Sequence, residues 1–162
     1  MCAAPAWRRW WAGARRCAAL VCLIAAASAP ASAFHLTDVQ GQRHTLERHR
    51  GKWIVLNVWA TWCAPCIKEM PELEALSHSR DDVVVLGLAA DGDSLPNIRR
   101  YAELLHVTYP IVAGNEATMK EFKVNAYPTT LLFDPEGKLV MTRLGQVTRR
   151  ELEARLPPFP VR

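Results

Sequence analysis

Cysteine is scarce where it matters. Of the five cysteines in the chain, Cys2, Cys17 and Cys22 fall in the first 33 residues, so Cys63 and Cys66 are the only ones beyond them. Two thiols leave a tetrahedral zinc shell half empty, and no paired His-x-His cluster completes it. A copper-delivering protein needs soft thiolates with a downstream histidine, and its cysteines are separated by three intervening residues where this chain has two. No histidine follows His106. Metal binding is therefore not expected, and His35, His44, His49 and His78 read as surface residues. An excess of one charge is missing as well. The formal charge of +4 traces to Arg8, Arg9, Arg15 and Arg16, in a leader without acids; outside it, 16 basic residues face 16 acidic ones. No basic field remains to attract nucleic acid.

Long apolar runs are also lacking. The uncharged stretch Cys17–Ala27 is too short to cross a bilayer comfortably. Placed after a basic start and before Ala31-Ser32-Ala33, it gives residues 1–33 the layout of a secretory signal. Export and cleavage after Ala33 are expected, with an uncleaved membrane anchor as the alternative. No internal repeat, low-complexity segment or linker interrupts 34–162, and a hydrophobic content of 50% suits one domain with a real core.

What the chain does have is Trp62-Cys63-Ala64-Pro65-Cys66, set between two different periodicities. Upstream, Trp53–Trp59 is β-branched and aromatic, as in a buried strand; downstream, Ile67, Met70, Leu73 and Leu76 recur at helical spacing. The motif therefore opens a helix, and Pro65 fits its first turn. A cysteine at a helix N-terminus feels unpaired N–H groups and the positive end of the macrodipole, which bring a thiol pKa from about 8.5 to roughly 3.5–7.5. Cys63 is expected to be the exposed, activated thiol and Cys66 its buried partner. Closing so small a loop gains little chain entropy, so a structural staple is a weak reason for the pair.

The remaining elements follow from similar signals. Phe34–Thr37 and Arg43–Leu46 read as a hairpin, and Pro71 should kink or break the helix after Cys66. Val83–Ala90 lacks polar alternation and reads as a strand covered on both faces. Ser94 is expected to cap a helix to about His106, with Ile98, Tyr101, Ala102 and Leu105 on one face. Tyr109–Val112 reads as a short strand, and Asn115 as the cap of a short helix. Thr130–Phe133 and Leu139–Leu144 should form a hairpin around Asp134–Lys138, and Thr148 with Glu151 a capping box for a closing helix.

The runs Asn57–Cys66, Glu69-Met70-Pro71-Glu72-Leu73, Tyr127-Pro128-Thr129-Thr130-Leu131 and Asp134-Pro135-Glu136-Gly137 resemble the TlpA and ResA type of exported thioredoxin-like proteins, relatives of DsbE and CcmG. The resemblance implies an α/β, thioredoxin-like three-layer fold: a mixed central sheet flanked by helices, with an N-terminal β-hairpin and a central insertion. It implies a cis bond before Pro128, with Tyr127 offering its backbone to a substrate chain beside a Cys63–Cys66 disulfide. Trp62, Ala64 and Pro65 would border the same substrate surface, Trp62 packing beside the disulfide. Asn57 stands where thioredoxin has a buried acid. Glu69 matches an acid of the ResA-like branch, placed to take a proton from Cys66 or tune Cys63; its alternative is a solvated helix-surface glutamate.

The function implied is that of a periplasmic thiol-disulfide oxidoreductase, acting as a reductase on exported protein disulfides, with apocytochrome c as one family target. A membrane electron donor would re-reduce it. No dissociable cofactor is needed, and a monomer is expected. Ala64 replaces the histidine of strong oxidants, so a potential nearer about −270 mV than about −120 mV is expected. The competing reading is a thiol peroxidase, whose attacking cysteine sits in a Thr-x-x-Cys setting that Trp62-Cys63-Ala64-Pro65 does not match; a copper-chaperone-type thiol protein ranks below it.

Overall fold

A computed structural model describes residues 34–90, 92 and 95–158. The leader and the cap expected of Ser94 lie outside these residues. Seven strands and four helices alternate along the described chain: β1 (His35–Thr37), β2 (Arg43–Thr45), β3 (Trp53–Trp59), α1 (Ala64–Ser79), β4 (Val83–Ala89), α2 (Leu95–Leu104), β5 (Ile111–Ala113), α3 (Glu116–Glu121), β6 (Thr129–Phe133), β7 (Leu139–Leu144) and α4 (Arg149–Glu153).

β1 and β2 pair as a separate hairpin, and the other five strands form one mixed sheet in the order β5-β4-β3-β6-β7. β3 runs parallel to β4 and antiparallel to β6. Its side chains alternate between two apolar layers. Val55 and Trp59 face a core shared with Cys66, Met70, Leu73 and Leu76 of α1, Ile98 of α2 and Leu152 of α4. Ile54, Leu56 and Val58 face the hairpin residues Phe34, Leu36 and Leu46 and Met119 of α3. The helices therefore divide three to one across the sheet, with the hairpin filling the other layer. This is the thioredoxin-like arrangement expected of the sequence.

α1 runs unbroken through Pro71, so of the expected kink or break the break does not occur. Proline removes one backbone N–H, but Cys66, Glu69 and Met70 before it and Leu73 and Leu76 after it are all buried on one side. That shared anchorage holds both halves in a single span. Tyr101 departs from expectation, since it is 36% exposed while Ile98 and Ala102 carry the core contact of α2. The expected capping box forms, with Thr148 accepting from the Glu151 N–H, and the expected cap Asn115 accepts from the Thr118 N–H in a second box that the sequence reading did not foresee. Among the described residues no helix is long and apolar enough to cross a membrane.

Candidate active site

The sheet brings two distant loops to one edge. In the β3–β6 ladder Val58 stands opposite Thr129, so Pro128 falls beside the end of β3 that leads into the cysteine motif. The Tyr127–Pro128 peptide is cis, as expected. Pro128 is buried and Tyr127 half-buried. The Thr129 hydroxyl donates to the Ala126 carbonyl at 2.7 Å, and the Gly145 N–H donates to the Pro128 carbonyl at 2.8 Å, which fix the loop from both sides.

At the other wall Cys63 is the N-cap of α1, and its sulfur accepts the Cys66 N–H at 3.3 Å. Pro65 occupies the first turn, as its missing donor allows. The two cysteines are joined, with an S–S distance of 2.05 Å. Cys66 is fully buried, and Cys63, expected to be exposed, is only 4% so. Cys63 belongs to the apolar cluster against which Tyr127 of the Pro128 loop packs. Trp62, next to Cys63 in the chain, stays largely in solvent. It is 69% exposed and meets the Tyr127 ring edge-to-face at 5.7 Å, linking the two loops. Ala64 and Pro65 are exposed on the same rim.

Glu69 is fully buried, which rules out the solvated surface position. One carboxylate oxygen accepts the Asn57 amide at 2.7 Å and the other the Val147 N–H at 2.8 Å. Burial pushes its pKa up to about 7, against the opposing pull of those two donors. It stands one turn beyond Cys66 on the same buried face of α1.

Asn57, which the sequence offered only as a missing acid, is thus a direct partner of Glu69. It also donates to the Thr130 hydroxyl at 3.1 Å, while its own oxygen has no hydrogen-bond partner among the described residues. The signal that could have found it was the alternation of β3: residue 57 shares a face with Val55 and Trp59, the face that α1 covers. The histidines hold another correction. His44 is buried, hydrogen-bonded to Asp38 at 2.9 Å and stacked on the half-buried His49 at 5.3 Å between ring centroids. The middle residue of β2 points inward, and Asp38 satisfies its ring.

Comparison with known proteins agrees with this geometry. Residues 27–142 match the AhpC/TSA family. The thioredoxin-like protein YneN of Bacillus subtilis is 33% identical over 76% of this chain and 74% of its own length. The thiol-disulfide oxidoreductase ResA of Geobacillus kaustophilus is 33% identical over 76% of this chain and 72% of its own. Among solved structures, MTB DsbF in its mixed oxidized and reduced forms superposes with a TM-score of 0.71 at 26% identity, covering 79% of this chain and 96% of that one. The chain belongs to the AhpC/TSA redoxin family and, within it, to the thioredoxin-like thiol-disulfide oxidoreductases of the ResA type.

Proposed function

We propose that the protein is exported to the periplasm and reduces disulfides of exported polypeptides through a Cys63/Cys66 dithiol–disulfide cycle. The observation that carries this reading is the cysteine pair capping α1 with a buried acid one turn behind it. In the reduced protein the Cys63 thiolate attacks one substrate sulfur, and the other substrate sulfur leaves as a thiolate. The resulting mixed disulfide is attacked at Cys63 by the Cys66 thiolate, which expels the second substrate sulfur and closes the protein's own disulfide. Two electrons pass to the substrate. The thiol of Cys66 must first lose its proton, and Glu69, whose pKa of about 7 lets it exchange protons near neutrality, is the acceptor. The rings of Trp62 and Tyr127, with Ala64, Pro65 and Pro128, border the surface on which the substrate chain lies.

The oxidised pair then needs a membrane electron donor, because a potential near about −270 mV lies below the oxidising poise of that compartment. Cytochrome c maturation is the setting that the family resemblance favours.

Trapping tests the cycle. Cys66→Ser should accumulate mixed disulfides with exported proteins, and Cys63→Ser should form none. In the reduced protein Cys63 should alkylate first at mildly acidic pH, and faster labelling of Cys66 would reverse the two roles. Equilibration with a glutathione series measures the direction, a value near about −120 mV indicating an oxidant. Peroxide consumption in place of disulfide exchange would favour the peroxidase reading.

A further inference from the structure

Beside the cysteine motif, α2 borders a groove of about 360 Å³ that the redox step does not use, lined by Thr61, Asn97, Arg100, Tyr101 and Leu104. The four helical residues stand at i, i+3, i+4 and i+7 and so form a single stripe. Ile98 and Ala102, on a different side of the helix, pack into the core. The opposite wall, Thr61, is two residues ahead of Cys63, which limits their Cα atoms to about 7.6 Å apart. The groove therefore opens beside the loop that carries Cys63. It is open and mixes polar with apolar side chains: Thr61, Asn97 and Arg100 stand beside Leu104, which is 64% exposed, and Tyr101, 36% exposed, while Trp62 on the adjoining loop is 69% exposed.

The two adjacent arginines of α2 differ in what they do. Arg99 donates to the Val39 carbonyl and ties the helix to the hairpin turn. Arg100 lines the groove, and among the described residues it has no ion pair or hydrogen bond. One cation flanked by an aromatic and an aliphatic side chain suits one carboxylate next to one apolar residue. It does not suit an extended anionic surface. The stripe from Asn97 to Leu104 rises about 10 Å along the helix, the length of roughly three residues of extended chain.

We infer that this groove is the recognition site for the polypeptide segment flanking the substrate disulfide. It selects a segment that presents an acidic residue to Arg100 and an apolar residue to Tyr101 and Leu104, about two to four residues from the cysteine under attack. The inference rests on the reading of Cys63 as the attacking thiol. Arg100 acts on the flanking chain and not on the reacting sulfurs.

The test uses the reduced full-length protein and two synthetic peptide disulfides. They are identical except for Asp or Lys placed three residues from the cysteine on both sides, with a leucine next to each charge. The neutral small disulfide 4,4′-dithiodipyridine serves as control. The wild type should react faster with the Asp peptide by about two- to five-fold, the range of an exposed ion pair, and 1 M salt should erase the difference. Arg100→Glu should invert the preference, and Leu104→Ser should slow both peptides alike. Neither substitution should alter the rate with the small disulfide. A wild type without preference, a preference unchanged by Arg100→Glu, or peptide rates unmoved by Leu104→Ser would overturn the inference while leaving the exchange chemistry in place. Failure of the wild type to react with 4,4′-dithiodipyridine would overturn both.

Discussion

Two carboxylates in this fold are almost equally hidden, Asp38 at 6% exposure and Glu69 at 0%, yet their acidities move in opposite directions. Burial alone would raise Asp38, but the His44 ring and the N–H groups of Gln42 and Gln40 outweigh it and hold the acid below its usual value. Burial also raises Glu69, and there the Val147 N–H and the Asn57 amide are too few to reverse it, so the group titrates at about 7. A deeper setting and a thinner donor supply together separate the carboxylate that stores a proton from the one that clamps a turn. Asp38 joins the hairpin turn to β5 through a bridge to Val112. Glu69 sits behind the disulfide.

The largest expected effect comes from breaking the clamp. Asp38→Ala removes three hydrogen bonds to a buried carboxylate and should cost about 4 kcal/mol of stability in urea unfolding, with the disulfide-exchange rate of the folded protein unchanged. Its contribution is fully present above pH 3.8, the ordinary value, and is lost as the pH falls through the lowered folded value.

Glu69 has the opposite sign. Its folded pKa lies above its unfolded one, so its stability is complete below pH 4.5 and is lost as the pH rises through about 7. The wild type should therefore lose up to about 3 kcal/mol across that window relative to Glu69→Gln. Glu69→Gln should also slow exchange and flatten its pH dependence, and an unchanged profile would mean that Cys66 is deprotonated by another route.

Removing one donor sharpens the contrast further. Asn57→Ala should move the Glu69 titration, followed by carboxyl carbon NMR, upward by about one pH unit, one hydrogen bond's worth. Supplying a donor would reverse the shift. The smallest effect belongs to Thr130→Val, which takes an acceptor from Asn57 without touching Glu69. It should cost about 1 kcal/mol and leave the titration in place.

The fold was legible in the sequence to the extent that its elements announced themselves by period. The seven residues of β3 end where their apolar run ends, and the cysteines open α1 as the change of period requires. The cis peptide before Pro128 was reached through family resemblance, because no local pattern distinguishes it from a turn proline. Polar burial was harder to read. Glu69 lies on a helix whose buried stripe already held Cys66 and Met70, and only its place in that stripe separated it from a surface glutamate. His44 sits in a strand of three residues, too short for alternation to show which way it points. In each case the deciding partner comes from elsewhere in the chain: Val147 for Glu69, and for His44 an aspartate across the hairpin turn.

The ladder that sets Thr129 opposite Val58 has a consequence for the growing chain. The cysteines leave the ribosome long before β6 has been made. Until that strand pairs with β3, they are an ordinary dithiol with no opposing proline loop. An oxidant met in that interval would act on them without selectivity. The completed sheet sets the proline loop beside the cysteine motif, so under the proposed cycle the timing of β6 insertion governs how long each newly made molecule lacks that loop.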